Sequence, residues 1–277
     1  MIQNQSFRGI GAIIGDIVGS PYEFDRGDKT ENFPLFSESS QPTDDSVMTL
    51  AVALGLVSAK GKGMNSARSA VINSMVAWGR AYPYAGYGRR FSSWLHNPVP
   101  YDSYGNGSAM RVSSVGWLFD NLDDVLTYAK LTAEISHSHS EGIKGAQATA
   151  AAIFLTRQGK TKDALREYIT RTFGYDLSRT LAEIRPTYYH DESCQKTVPE
   201  AFTAYLEGNS FEDVLRKAVS LGGDSDTLTA IAASIAEAAY PVPEWIISNA
   251  WERMDERMRT GFEKYQLAFA NGAYGRP

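Results

Sequence analysis

Apolar residues along this chain recur mainly at helical spacing. Leu165, Tyr168, Ile169 and Thr172 fall at i, i+3, i+4 and i+7, and Leu228, Ile231, Ala232, Ile235 and Ala239 form a second such stripe. Phe202, Tyr205 and Leu206 continue the pattern further along, and Val47 to Val57 is another apolar helical stretch. Start signals agree: Ser210 precedes Asp213 by three residues, and Asn121 precedes Asp124 likewise, a capping box with Asp in the Glu position. Gly61, Gly159, Gly208 and Pro241 stand where helices would stop. Period-two alternation is scarce, and Asn106-Gly107 runs into Ser108, Ala109 and Met110, a helix start rather than a hairpin. The pattern predicts an all-α fold, a single compact orthogonal helical bundle over residues 1–277. Long loops are expected near 20–43, 81–106 and 173–197, where Pro, Gly, Tyr and charged residues collect.

Composition changes this picture little. The net charge is -5 and the Lys and Arg residues are scattered, so there is no nucleic-acid footprint. An anionic ligand would therefore need backbone donors or a metal to hold it. Cys194 is the only cysteine, which excludes an intramolecular disulfide and fits a reducing compartment. Met1 to Arg8 is polar, without the apolar core of a secretory signal. The apolar runs at 148–155 and 228–239 are broken by Thr, Ser or Glu and are too short to span a bilayer. A soluble, cytoplasmic monomer is expected.

Two acidic motifs stand directly before apolar helical stretches. In Thr43-Asp44-Asp45-Ser46, Thr can cap a helix and Asp can complement the positive end of its dipole, which is the simpler account of that motif alone. In Gly222-Gly223-Asp224-Ser225-Asp226-Thr227, two carboxylates and a hydroxyl make an all-oxygen set of the kind Mg²⁺ or Mn²⁺ prefers. The paired glycines would allow the tight turn that aims both carboxylates one way. A capped helix is again the alternative. Were the motifs to converge, four carboxylates would repel strongly unless a cation lay between them.

Three further segments carry weaker signals. Tyr101 to Arg111 includes Gly105-Asn106-Gly107-Ser108, whose free N–H groups would cradle a phosphate or simply form a loop-to-helix turn. Ser136-His137-Ser138-His139 lacks the further ligands of a zinc site, and capping or surface histidines before Glu141 are the better reading. Gly11, Gly15 and Gly19 recur every four residues, giving a smooth helix face for close packing. Within that helix Asp16 is expected to bond backbone amides or a neighbouring side chain. Glu23 follows Pro21 in a loop that could fold over a site or lie exposed.

Taken in order, Gly-Asp-x-x-Gly-x-Pro-x-Glu at 15–23, Thr-Asp-Asp-Ser at 43–46, Gly-Asn-Gly-Ser-Ala-Met-Arg at 105–111 and Gly-Gly-Asp-Ser-Asp-Thr at 222–227 resemble the ADP-ribosylglycohydrolase family. The resemblance runs from Gly9 to about Tyr240. It implies an all-helical domain with a binuclear Mg²⁺ or Mn²⁺ centre beneath an ADP-ribose cleft, and an ADP-ribosylated protein as partner. Thr43, Asp44, Asp45, Asp224, Asp226 and Thr227 correspond to its metal ligands, and Glu23 to its mobile-loop glutamate. Ser103, Tyr104, Gly105, Asn106, Gly107, Ser108 and Met110 match its phosphate and ribose loop. His137 matches the histidine on the nucleotide side, with Gly142 and Gly145 in matching positions after it. Either Glu23 or Asp45 could activate water in that scheme. The interval 84–91, with Gly86, Tyr87 and Gly88 and no aspartate, is more similar to the branch cleaving O-linked ADP-ribose, such as ADP-ribosyl-serine, than to the arginine-linkage branch. Cleavage of an arginine linkage, hydrolysis of a free ADP-ribose derivative, and a catalytically silent ADP-ribose binder or structural relative are the remaining alternatives.

Overall fold

Helices begin where side chains can satisfy the first free N–H groups. Asn121 accepts from the Asp124 amide at 2.8 Å, Ser210 from Asp213 at 3.1 Å, and Thr180 with Glu183 closes a full capping box. The computed structural model describes residues 7–270; Met1 to Ser6, most of the polar N-terminal segment, lie outside the described residues. The first half comprises α1 (Gly11–Gly19), a 3₁₀ turn (Ser20–Tyr22), α2 (Asp44–Ser58), α3 (Met64–Ala81), α4 (Arg89–Trp94), α5 (Gly107–Met110), α6 (Ser113–Leu118) and α7 (Leu122–Glu134). The second comprises α8 (Ser140–Arg157), α9 (Lys162–Phe173), α10 (Leu181–Ile184), α11 (Cys194–Glu207), α12 (Phe211–Val219), α13 (Ser225–Ala239), α14 (Glu244–Arg253) and α15 (Glu256–Ala270). No strand forms among the described residues. Isolated bridges tie Tyr101 and Asp102 to His137, and Gly105 to Ser193. The all-α fold is as the periodicity predicts.

The three expected loops are present, but each contains a short helical piece that composition hid. Phe91 and Trp94 are buried and stacked with centroids 5.2 Å apart, an i, i+3 apolar pair that folds α4 inside the 81–106 loop. The Thr180–Glu183 capping box does the same for α10 in the 173–197 loop.

At the centre lies α13, buried from Ser225 through Ala236. Its closest neighbour is α1, which runs antiparallel to it. A Cβ added at Gly11 would fall 2.6 Å from the Ala233 carbonyl oxygen. At Gly15 it would fall 2.4 Å from that of Thr229, and at Gly19 2.4 Å from that of Ser225. The four-residue glycine repeat thus meets a four-residue repeat on α13, backbone against backbone, as expected for the smooth face. Glu237, near the end of α13, seals the start of α1 by accepting from Gly9, Ile10 and Gly11 amides at 2.8, 3.2 and 2.8 Å. This antiparallel clamp brings the end of α1, and the turn bearing Glu23, beside the start of α13, where the second acidic motif sits.

Candidate functional site

Asp16 is the pin that holds the first acidic motif in place. Fully buried in α1, it accepts hydrogen bonds from the Thr43 amide (2.9 Å), the Thr43 hydroxyl (2.7 Å), the Ser46 amide (3.0 Å) and the Ser46 hydroxyl. Burial pushes its pKa up to about 6 against those four bonds. The Thr43 oxygen meanwhile caps α2 by accepting from the Asp45 amide at 3.3 Å. Both accounts of this motif therefore hold in part: it is a helix cap, and it is also delivered to the start of α13.

Gly222 and Gly223, with φ of 72° and 74°, make the left-handed turn that leads into Asp224. Asp224 Oδ2 accepts from Asn106 Nδ2 at 2.6 Å, and the same amide reaches Thr197 Oγ1 at 2.9 Å. Thr227 Oγ1 donates to Asp45 Oδ1 at 3.2 Å, and Thr43 Oγ1 comes within 3.5 Å of Asp226 Oδ2. The two motifs, some 180 residues apart, thus touch (182 for Asp45 and Thr227). Glu23, Asp224 and Asp226 each present a carboxylate oxygen within 4.8 Å of the others.

The electrostatics of this cluster are severe. Burial first, then the Asp226 charge, pushes Glu23 up to about 7 and raises Asp44 and Asp45 well above the usual carboxylate range. Asp226 is likewise raised by burial and by Asp224, while Asp224 rises to about 6, chiefly through burial. Asp45 Oδ2 is buried without a hydrogen-bond partner. Five carboxylates that cannot all ionise together, all hard oxygen donors with one orphaned, fit divalent cations of the Mg²⁺ or Mn²⁺ type.

These groups line a cleft of about 360 Å³. Of the residues singled out from sequence, the cleft gathers Glu23, Asp44, Asp45, Gly86, Gly88, Ser103, Gly105, Asn106, Gly107, Met110, His137, Asp224, Asp226 and Thr227. Four others do not line it. The Thr43 hydroxyl is committed to Asp16. Tyr87 is half-buried against Phe91, with ring centroids 5.7 Å apart. Tyr104 is 51% exposed and edges onto His139. Ser108 is fully buried and donates to the Gly142 carbonyl at 2.6 Å. Gly142 and Gly145 serve packing: added Cβ atoms would meet the Ser103 carbonyl at 2.7 Å and Cys194 Sγ at 2.5 Å.

Away from the carboxylates the lining turns cationic and aromatic. The Arg90 guanidinium lies 4.7 Å from the Tyr101 ring centre, and Tyr101 is 5.8 Å from the His137 ring. His137 Nδ1 is 2.8 Å from Ser136 Oγ, which accepts from buried Arg111 Nη2 at 2.8 Å. Accepting from Arg111 leaves the Ser136 proton free for Nδ1, an arrangement in which Nε2–H is a donor. Burial, then the charges of Arg111 and Arg90, holds the imidazole well below its usual pKa, so it is neutral. Cβ atoms at Gly105 and Gly107 would lie 3.4 and 3.1 Å from Nε2, so the loop passes the ring in close contact. His139 instead caps α8, accepting from the Glu141 amide at 3.1 Å, as expected. Sequence reading missed Phe24, Arg89, Arg90 and Glu192 as lining residues, while Tyr101 and Arg111 bound the singled-out segment 101–111. For Glu192 the only link is tertiary, its carbonyl accepting from the Asn106 amide at 2.7 Å.

A family model for ADP-ribosylglycohydrolase matches residues 9–272. The chain belongs to the ADP-ribosylglycohydrolase family. The chain is 34% identical over 157 residues to an uncharacterized protein of Archaeoglobus fulgidus, covering 50% of this chain and 52% of that one. Human ADP-ribosylhydrolase ARH3 is 26% identical over 210 residues, 60% of this chain and 56% of ARH3. The chain thus spans about half the length of these first relatives. Pseudomonas putida ADP-ribosylarginine hydrolase Tri1 is 26% identical, covering 90% of this chain and 75% of Tri1. A solved structure described as an ADP-ribosylglycohydrolase-related protein complex superposes with a TM-score of 0.71 at 22% identity, covering 96% of each chain, and shares the fold. Among the described residues no helix is long and apolar enough to cross a membrane.

Proposed function

We propose that this member of the family is a hydrolase, dependent on two divalent cations (Mg²⁺ or Mn²⁺), that cleaves the C1″ glycosidic bond between ADP-ribose and an acceptor. The observation that carries this reading is the convergence of Glu23, Asp224 and Asp226 on the Asp44–Asp45 pair inside one cleft. Asp44, Asp45, Asp224, Asp226 and Thr227 are the residues that would hold the cations, with Thr43 beside them on Asp16. Bound there, the cations supply Lewis-acid polarisation and fix the hydroxyls of the distal ribose. Glu23 is assigned as the base that takes the proton of the attacking water, because Asp45 already receives Thr227 on one oxygen and offers only the other to a ligand. A carboxylate beside C1″ also steadies oxocarbenium character as the acceptor departs. The Gly105–Gly107 backbone, neutral His137 and Arg90 would receive the diphosphate.

For the linkage, the Gly86-Tyr87-Gly88 interval, with no aspartate in 84–91, favours an O-linked acceptor such as ADP-ribosyl-serine on protein. Similarity to Tri1 over 90% of the chain supports arginine linkage as the second reading. The family match over residues 9–272 supports treating 1–277 as one domain. The test is release of free ADP-ribose from serine- and arginine-modified peptides, O-acetyl-ADP-ribose and ADP-ribose-1″-phosphate in Mg²⁺. Asp224→Asn and Asp226→Asn are scored in parallel for hydrolysis and, by calorimetry, for cation binding. Folded variants with unchanged cation affinity and turnover would remove the metal centre from the account.

A further inference from the structure

Immediately after Glu23 the backbone takes a conformation rare outside glycine. Phe24 has φ 59° and Asp25 φ 56°, the only positive-φ non-glycine residues among those described. Consecutive left-handed residues persist only where surrounding contacts impose them, and such strain gathers at functional sites.

Here the contacts come from Asp25. Its Oδ1 accepts from the Gly223 amide at 2.8 Å and its Oδ2 from the His190 amide at 3.1 Å. The first donor belongs to the glycine turn that aims Asp224; the second belongs to the loop that brings Glu192 to the cleft. An added Cβ at Gly222 would stand 3.0 Å from Asp25 Oδ1, so the glycine turn leaves room for this approach. Lys29 Nζ lies 3.9 Å from the same oxygen and is itself held by the Arg185 and Tyr188 carbonyls. The Phe24 ring rests 4.8 Å from the His190 ring, closing the strap. Asp25 itself does not line the cleft.

We propose that Asp25 is a positioning residue for Glu23: its carboxylate ties the strained turn to Gly223 and His190 and so fixes Glu23 facing Asp224 and Asp226. The inference rests on the assignment of Glu23 as base. A side chain that merely packed the loop would affect stability and leave turnover alone.

The experiment compares wild type, Asp25→Asn and Asp25→Ala in Mg²⁺ on whichever modified peptide the wild type cleaves, with amide hydrogen exchange of segments 22–30 and 188–193 followed by mass spectrometry. Misplacing a reacting group by on the order of 1 Å can cost about a hundredfold. Asp25→Ala is therefore expected to lower kcat about 10- to 100-fold with KM changed less than about threefold. Exchange in both segments should quicken while that of α1 and α13 does not change. Asp25→Asn keeps an oxygen for Gly223 but loses the acceptor for His190, and should fall between; it also serves if the alanine variant does not fold. Wild-type kcat in Asp25→Ala, a rise in KM alone, or unchanged exchange would each overturn the proposal. If wild type cleaves none of the peptides, the hydrolase reading fails, and exchange alone decides whether Asp25 holds the turn.

Discussion

Replacing Gly15 by alanine tests the contact on which the whole site is hung. The added Cβ would lie 2.4 Å from the Thr229 oxygen, 2.6 Å from its carbonyl carbon and 2.7 Å from Ala230 Cα. All three are backbone atoms that no rotamer change can move, so α1 and α13 must part by about 1 Å to restore ordinary contact. Overpacking costs about 1–3 kcal/mol, and a clash with rigid backbone in a fully buried helix belongs at the upper end. For a chain of this size about 3 kcal/mol lowers Tm by roughly 6–12 °C. The parting also carries Asp16 away from α13, and with it Thr43 and Ser46, so the two acidic motifs separate. Scanning calorimetry with and without Mg²⁺ reads both effects: a lower Tm in chelator and a smaller Mg²⁺-dependent rise. Gly88→Ala is the control, since no atom lies within 4 Å of its added Cβ. A Gly15→Ala protein melting within about 2 °C of wild type would refute the close-packing argument, because strain of the size calculated could not be hidden in so small a shift.

Removing a charge from the carboxylate cluster should have opposite effects with and without cation: Asp226→Asn is expected to raise Tm in EDTA near neutral pH, where repulsion is unrelieved, and to abolish the Mg²⁺-induced rise. Equal shifts in both buffers would count against a cation site. Glu237, pushed up to about 7 by burial despite three backbone donors, binds its proton more tightly folded than unfolded. Its contribution is therefore fully present at low pH and is lost as pH rises from about 4.5 to 7, so the stability of Glu237→Gln relative to wild type should improve across that window. A difference that is flat or falls with pH contradicts this sign. Arg90→Ala should weaken ADP-ribose binding about 5- to 30-fold by calorimetry, as loss of one charge-assisted contact implies, with a smaller salt dependence.

How far the sequence reaches depends on whether a residue's role is local. Helix starts at Asn121 and Ser210 are read correctly because a cap needs only the next three residues. Gly11, Gly15 and Gly19 announce a close-packed face, and Asp16 its bonding of backbone amides, because spacing and burial suffice. The two acidic motifs are visible as motifs, yet their meeting is not, since Thr227 and Asp45 touch only through the α1–α13 clamp. Ser108 shows the reverse failure: it stands in a phosphate-loop pattern, but its hydroxyl is spent on the Gly142 carbonyl. Glu237, Asp25 and Arg90 carry no local signal, because each acts across the fold on a partner that no spacing names.

The clamp between α1 and α13 also sets a timetable. Gly11 and Glu237 are 226 residues apart, so α1 has no groove to enter until α13 has been made. At about 5–20 residues per second, the ribosome leaves α1 waiting for roughly 10–40 s with its glycine face exposed. The carboxylates of Asp44 and Asp45 wait somewhat less long for Asp224 and Asp226. A truncated product ending before Asp224 therefore carries half of each pairing, and is expected to be retained by chaperones and to bind no cation at this site.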